Sequence, residues 1–262
     1  MNNVGKINLK EANSLKDAVL RVIDEIGGFR KFVKTGDVVF LKPNYNTSDP
    51  SPASTSVDFL KIVVELVYEF GAKLAMIGES STVTFNTKKI IEKAGVFGLL
   101  KMETPPRIYV FEEGEWIKKE IPGAKYLKSV SIPEILGRAD KLILLPCLKT
   151  HKYAKFTGAL KLSVGFMKPA QRVSLHLNNL QEKIADLNKI IHQDLVIMDA
   201  RKCFISGGPS KGVVREPDLI LASEDRVAID IEGIKIIQSF EGNSLAGINP
   251  ENLPQIKNSG EI

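Results

Sequence analysis

Asp37-Val38-Val39-Phe40-Leu41, then Val57 to Phe70, then Lys73-Leu74-Ala75-Met76-Ile77: this run carries the fold. The first and last segments are short apolar runs of strand length. Between them Phe59, Leu60, Val63, Val64 and Val67 recur at helical spacing, and Gly71 stops the pattern. A strand, a crossover helix and a second strand make a parallel pair. Outward from this unit, a helix is expected over Ser14 to Ile26 and another over Thr87 to Leu99, with Gly95 as a weak interior break. Strands are expected at Lys141 to Leu145, Leu195 to Met198 and Leu219 to Ala222, and helices at Asn179 to Ile191 and Asp225 to Phe240. The alternation predicts an α/β chain with a mostly parallel sheet and helices on both faces, forming one domain over residues 1–262. The Pro-, Gly- and charge-rich residues 102–128 read as a hairpin or excursion from that core, and the polar tail 242–262 as a segment that wraps or frays.

Composition narrows the function classes. A chain of 262 residues, 44% hydrophobic and 26% charged, buries a substantial core and is not a disordered type. Runs such as Leu142-Ile143-Leu144-Leu145 fall far short of the roughly 20 residues that span a bilayer. Met1 to Lys10 has no apolar signal-peptide core, so a cytoplasmic location and no membrane partner are expected. Cys147 and Cys203 are far apart, and with three histidines in all, neither an iron–sulfur framework nor a protein-only zinc site is expected. The net charge of +5 does not by itself indicate nucleic-acid binding.

In open α/β sheets ligands gather at the carboxyl ends of strands, which marks the residues after Leu41, Ile77, Leu145 and Met198. The third place is the most unusual. Asp and Glu account for 31 of the 262 residues, yet none occurs from Lys141 to Gln181, which holds Lys149, Lys152, Lys155, Lys161, Lys168, Arg172, His151 and His176. A solvated face normally mixes signs, so the pattern points to a negatively charged guest. Thr157-Gly158-Ala159-Leu160-Lys161 reads as a helix start with Thr157 as N-cap. A lysine in a first turn opposes the helix dipole unless an anion sits there, held by free N–H groups and the ammonium. Lys161 is therefore an anion clamp or a nucleophilic amine, with Lys149 and Thr150 nearby and His151 as an acid/base group on a loop at the strand end. Cys147, inside an apolar run, reads as packing.

At the first strand end, Lys42 and Asn44 suit a carboxylate or phosphate, or simply cap a turn. After Ile77, residues 78–82 offer hydroxyls but no nucleophile elbow. Asp199 closes the Met198 strand, and the glycine-rich segment containing Gly208 either cradles phosphate or is a plain turn, since it matches neither phosphate-loop pattern. Asp230, a polar insertion in the last helix, either faces a site or caps a neighbour.

Several of these motifs, in order, resemble a family known as domain of unknown function 362: Leu41-Lys42-Pro43-Asn44, residues 145–151, residues 157–161, Ile184-Ala185-Asp186, residues 194–199, Gly208-Pro209 and Val227-Ala228-Ile229-Asp230. The match covers roughly Asp37 to Phe240. Some members of that family carry fused ferredoxin-like modules, which this chain lacks. A fainter likeness is to nickel-pincer lactate racemases. There a histidine precedes a cofactor-tethering lysine by ten positions, as His151 precedes Lys161, and Lys42-Pro43 is similar to a substrate-binding Arg-Pro. The likeness implies a shared scaffold. This chain has no histidine at 78–82 and has Lys rather than Arg at 42. The expectation is an enzyme or enzyme-like domain that takes an anionic small molecule or nucleotide-derived cofactor in a Lys/His-lined cleft. The rival is a non-catalytic nucleic-acid or anion binder using residues 149–172. The cofactor, substrate and oligomeric state are left open.

Overall fold

A computed structural model describes residues 4–259; residues 1–3 and, from the expected polar tail, 260–262 lie outside the described residues. Twelve strands are present among them: β1 (Gly5–Asn8), β2 (Val38–Lys42), β3 (Leu74–Glu79), β4 (Arg107–Val110), β5 (Trp116–Glu120), β6 (Ser129–Pro133), β7 (Lys141–Leu144), β8 (Cys147–His151), β9 (Lys155–Thr157), β10 (Leu195–Gly207), β11 (Gly212–Arg215) and β12 (Leu219–Ser223). The main sheet runs β1-β12-β10-β7-β2-β3-β4. From β10 through β4 every neighbouring pair is parallel, and β12 alone runs against its neighbours β10 and β1.

Period-two alternation along the central strands supplies two cores. Phe40, Met76, Leu144, Val196 and Leu221 point into one, packed against Leu160, Ile184, Leu187, Ile229 and Ile234 from the helices Ala159–Leu162, Leu180–Asn188 and Arg226–Gln238. Val39, Leu41, Ala75, Ile77, Ile143, Ile197 and Ile220 point into the other, against Val19, Val22, Leu60, Val63 and Val67 from the helices Leu15–Asp24 and Val57–Glu69. Strands apolar on both faces are what a helix-covered parallel sheet requires.

The departures from the sequence reading have local causes. Gly95, at φ +86°, ends the helix Thr87–Lys93 outright, and a 3-10 segment, Val96–Lys101, follows. The excursion is only partly one: β4 joins the edge of the main sheet beside β3, while β5 and β6 form a separate hairpin. Residues 147–151, expected as a loop, are strand β8, which pairs with β10 and β9. The strand beginning at Leu195 continues to Gly207 because β8 and β11 supply partners beyond Met198. The tail wraps, burying Leu245, Leu253 and Ile256 in the first core.

Asp230 caps a neighbour. Its carboxylate accepts hydrogen bonds from Ala159 N (2.6 Å) and Leu160 N (3.1 Å), so the helix Arg226–Gln238 holds the start of the helix Ala159–Leu162. Gly158 is glycine for the same reason: a Cβ there would come within 2.1 Å of Asp230 Oδ1. Replacing Asp230 with Ala leaves two buried N–H groups without an acceptor and should cost ~2–4 kcal/mol in a denaturant titration, and Asp230→Asn, which keeps one oxygen but turns its NH2 group against the other N–H, should fall in the same range.

Candidate functional site

The carboxyl ends of β2, β3, β8 and β9 open into a cleft of about 510 Å³. Its walls include Lys42 and Asn44 after β2, Glu79 at the end of β3, His151 and Thr157 from β8 and β9, and Lys161 from the short helix. Gly165, Arg172 and His176 close one side, and Pro209 with Ser210, at the β10–β11 tip, close another.

Lys42 is on the cleft wall but is already paired. Its Nζ donates to Glu79 Oε1 at 2.6 Å and to the Pro43 carbonyl at 2.7 Å, and both side chains of the pair are buried. Glu79 also accepts from Tyr45 N and Ser80 N. Burial pulls the Lys42 ammonium down and Glu79 pulls it back up, so the pair contributes almost no net charge to the cleft.

Arg172 is buried without a carboxylate in contact. Its Nε donates to the Met167 carbonyl, Nη1 to Ser80 and Ser81, and Nη2 to Gly165, all at 2.8–3.0 Å. Carbonyls solvate a guanidinium without neutralising it, and of five N–H groups one remains for a guest. Burial lowers its proton affinity, but from so high a starting value that it stays charged.

Lys161 is 7% exposed and has no hydrogen-bond or ion-pair partner among the described residues. Burial, then Lys149 and Arg172, bring its ammonium down to about 7. The helix start behind it offers no anion cradle, because Asp230 occupies the N–H groups of Ala159 and Leu160. Thr157 is not the N-cap: it ends β9, and its buried Oγ1, on the cleft wall, has no partner among the described residues.

The two histidines on the cleft have opposite hydrogen-bonding states. His151 Nδ1 accepts from Tyr153 N and Ala154 N, both at 3.1 Å, so the neutral ring carries its proton on Nε2. Burial and the charges of Lys161 and Lys149 hold its pKa at about 2. His151 is thus a hydrogen-bond donor rather than the acid/base group that its sequence context suggested. His176 Nδ1 lies 2.7 Å from the Arg172 carbonyl and must donate to it, so in the neutral tautomer the lone pair is on Nε2.

Five of the ten residues singled out from sequence therefore line the cleft: Lys42, Asn44, His151, Thr157 and Lys161. The other five do not. Lys149 is buried and donates to the Ala53 carbonyl, holding the loop after β2. Thr150 Oγ1 donates to the Gly207 carbonyl. Gly158 makes room for Asp230, and Gly208, at φ +72°, has the Thr150 carbonyl oxygen within 2.0 Å of where a Cβ would be. Asp199 is paired with Arg201 and bonded to Ser56 Oγ, tying β10 to the start of the helix Val57–Glu69. Glu79, Arg172 and His176 were not singled out. Glu79 stands at one of the four strand ends, so its position was a usable signal; Arg172 and His176 were lost among the other basic residues of the window.

The model of the family described as domain of unknown function (DUF362) matches residues 39–235, which include the carboxyl end of every strand that forms the cleft. The chain belongs to the DUF362 family. A thylakoid-associated protein of Synechocystis is 29% identical over 255 residues, covering 92% of this DUF362 chain and 77% of its own length. Among solved structures, the lactate racemase apoprotein of Thermoanaerobacterium thermosaccharolyticum overlaps 86% of the chain at 12% identity with a TM-score of 0.48. A Thermotoga maritima protein overlaps 86% at 13% identity with a TM-score of 0.49. The DUF362 chain spans little more than half of these two, 55% and 58%. Among the described residues no helix is long and apolar enough to cross a membrane.

The state of Lys161 has a measurable thermodynamic consequence. Unfolded, its amine titrates near 10.4, and folded it titrates at about 7. Between those values the unfolded chain binds more protons, so stability gains as pH rises, and below about pH 7 the buried ammonium costs most. Lys161→Met should therefore stabilise the fold by ~2–4 kcal/mol at pH 6, with the difference fading toward pH 10, as measured by denaturant titrations across that range.

Proposed function

We propose that this chain is an enzyme or enzyme-like domain that takes an anionic small molecule, or a nucleotide-derived cofactor, in the cleft between β2, β3 and β8. The supporting observation is the unpaired amine of Lys161 beside a guanidinium that meets no carboxylate. With Lys42 neutralised by Glu79, these two groups give the cleft a positive charge that a guest would complement. Asn44, Thr157 and the Nε2–H of His151 face the same space as uncharged hydrogen-bonding groups for the guest's oxygens. The amine, neutral in part near pH 7, would act as nucleophile, base or cofactor tether, and the free lone pair of His176 would accept a proton.

The rival reading, a nucleic-acid binder, needs its cations on an accessible surface. Lys149, His151, Lys161 and Arg172 are all buried, and the exposed cations of the stretch reduce to Lys152, Lys155 and Lys168 with the partly solvated Lys141. That burial favours a small guest.

Reductive methylation with formaldehyde and cyanoborohydride, followed by peptide mapping, tests the proposal. Methylation of Lys161 should rise with pH through about 7, well before the surface lysines, and inorganic phosphate should slow it at least threefold at Lys161 alone. An unreactive Lys161 at pH 8, or reactivity indifferent to phosphate, would count against the site. Intact mass of the purified protein separates the two guests: a covalent adduct on Lys161 marks a tethered cofactor, and an unmodified mass leaves the small-molecule reading.

A further inference from the structure

The cleft is charged at depth and apolar at its mouth. Val83, Phe85, Tyr153 and Val173 line it and are between 45% and 67% exposed. They come from three separate elements: the loop after β3, the turn between β8 and β9, and the helix Pro169–Leu175. Leu162 and Val164 continue the apolar wall inward. Large apolar groups from three elements exposed around one opening are costly to leave in water and mark a binding surface. Inside, the groups that favour an anion are Arg172, Lys161 and the Thr157 hydroxyl, which has no partner among the described residues, and the one carboxylate these residues give the wall, Glu79, is taken up by Lys42 and two backbone N–H groups. At about 510 Å³ the space is that of a drug-sized ligand rather than a bare inorganic ion.

Resting on the function proposed above, we infer that the guest is amphipathic: a carboxylate or phosphate head directed to Lys161 and Arg172, and a flat or branched apolar body held between Phe85, Tyr153 and Val173. The polar groups are deep and the apolar ones lie at the opening, so head and body enter in one orientation. The Tyr153 ring lies tilted at 56° against the His151 ring, with centroids 6.1 Å apart, and both line the cleft.

Matched probe pairs test this by isothermal titration calorimetry: phenyl phosphate against inorganic phosphate, and phenylpyruvate against pyruvate. In at least one pair the aryl member should bind about tenfold tighter or better, the effect of burying a ring-sized apolar group. The double variant Phe85→Ser/Val173→Ser, at exposed positions where the fold is not at stake, should abolish that preference and leave binding of the small member within about twofold. Whichever pair shows the preference identifies the head group. Equal binding within both pairs, or a preference that survives the double variant, would overturn the inference while leaving an anion site in place. Absence of binding by all four probes would remove both the inference and the proposal beneath it. Self-association in sedimentation that the double variant abolishes, with no aryl preference, would assign the apolar rim to a protein contact instead.

Discussion

Two backbone hydrogen bonds, from Ala159 and Leu160 to the Asp230 carboxylate, fix the short helix from which Lys161 enters the cleft. A helix of four residues has no cooperative stability of its own, so its direction has to come from tertiary contacts. Asp230 provides this from the middle of a long helix, fully buried, at the cost of a desolvated carboxyl that burial pushes up to about 7. Close approach then excludes any side chain at 158, and Lys161 emerges one turn later with its amine facing the cavity. An acid supplied from outside the acid-free window thus organises the centre of that window.

The electrostatics follow the same economy. Among the described residues, the buried cations in and beside the cleft have partners except one. Lys42 has Glu79, Lys149 has the Ala53 carbonyl, and Arg172 has four carbonyls. Lys161 has none, and its response is to give up its proton near neutrality. A buried amine kept at a stability cost, when a methionine would fit the same space, is the arrangement usually found where chemistry or recognition needs it.

Part of the cleft's lining was legible in the residues, and the misses share a cause. The acid-free basic stretch contributes His151, Thr157, Lys161 and Arg172 to the cleft wall, and Lys42 and Asn44 from the first strand end meet them there. What could not be read was direction. Lys149 and His151 sit two apart on one strand and so belong to the same face, yet one reaches the Ala53 carbonyl and the other the cleft. Asp199, expected at a strand end, lies inside β10, and its carboxylate is taken up by Arg201 two residues on. His151 looked like an acid/base group until two backbone N–H donors on Nδ1 determined which nitrogen holds the proton.

The amino-acid order by itself determined the α/β class, the mostly parallel sheet and the concentration of positive groups behind the β7 strand, because apolar periodicity and charge are local properties of the chain. The tertiary structure alone decided which cations are neutralised, which nitrogen of His151 and of His176 is engaged by the backbone and which helix start is already occupied. Those outcomes depend on contacts between residues as far apart as Ala159 and Asp230 or Lys42 and Glu79, and a charge is quenched or left free only when such partners meet in space.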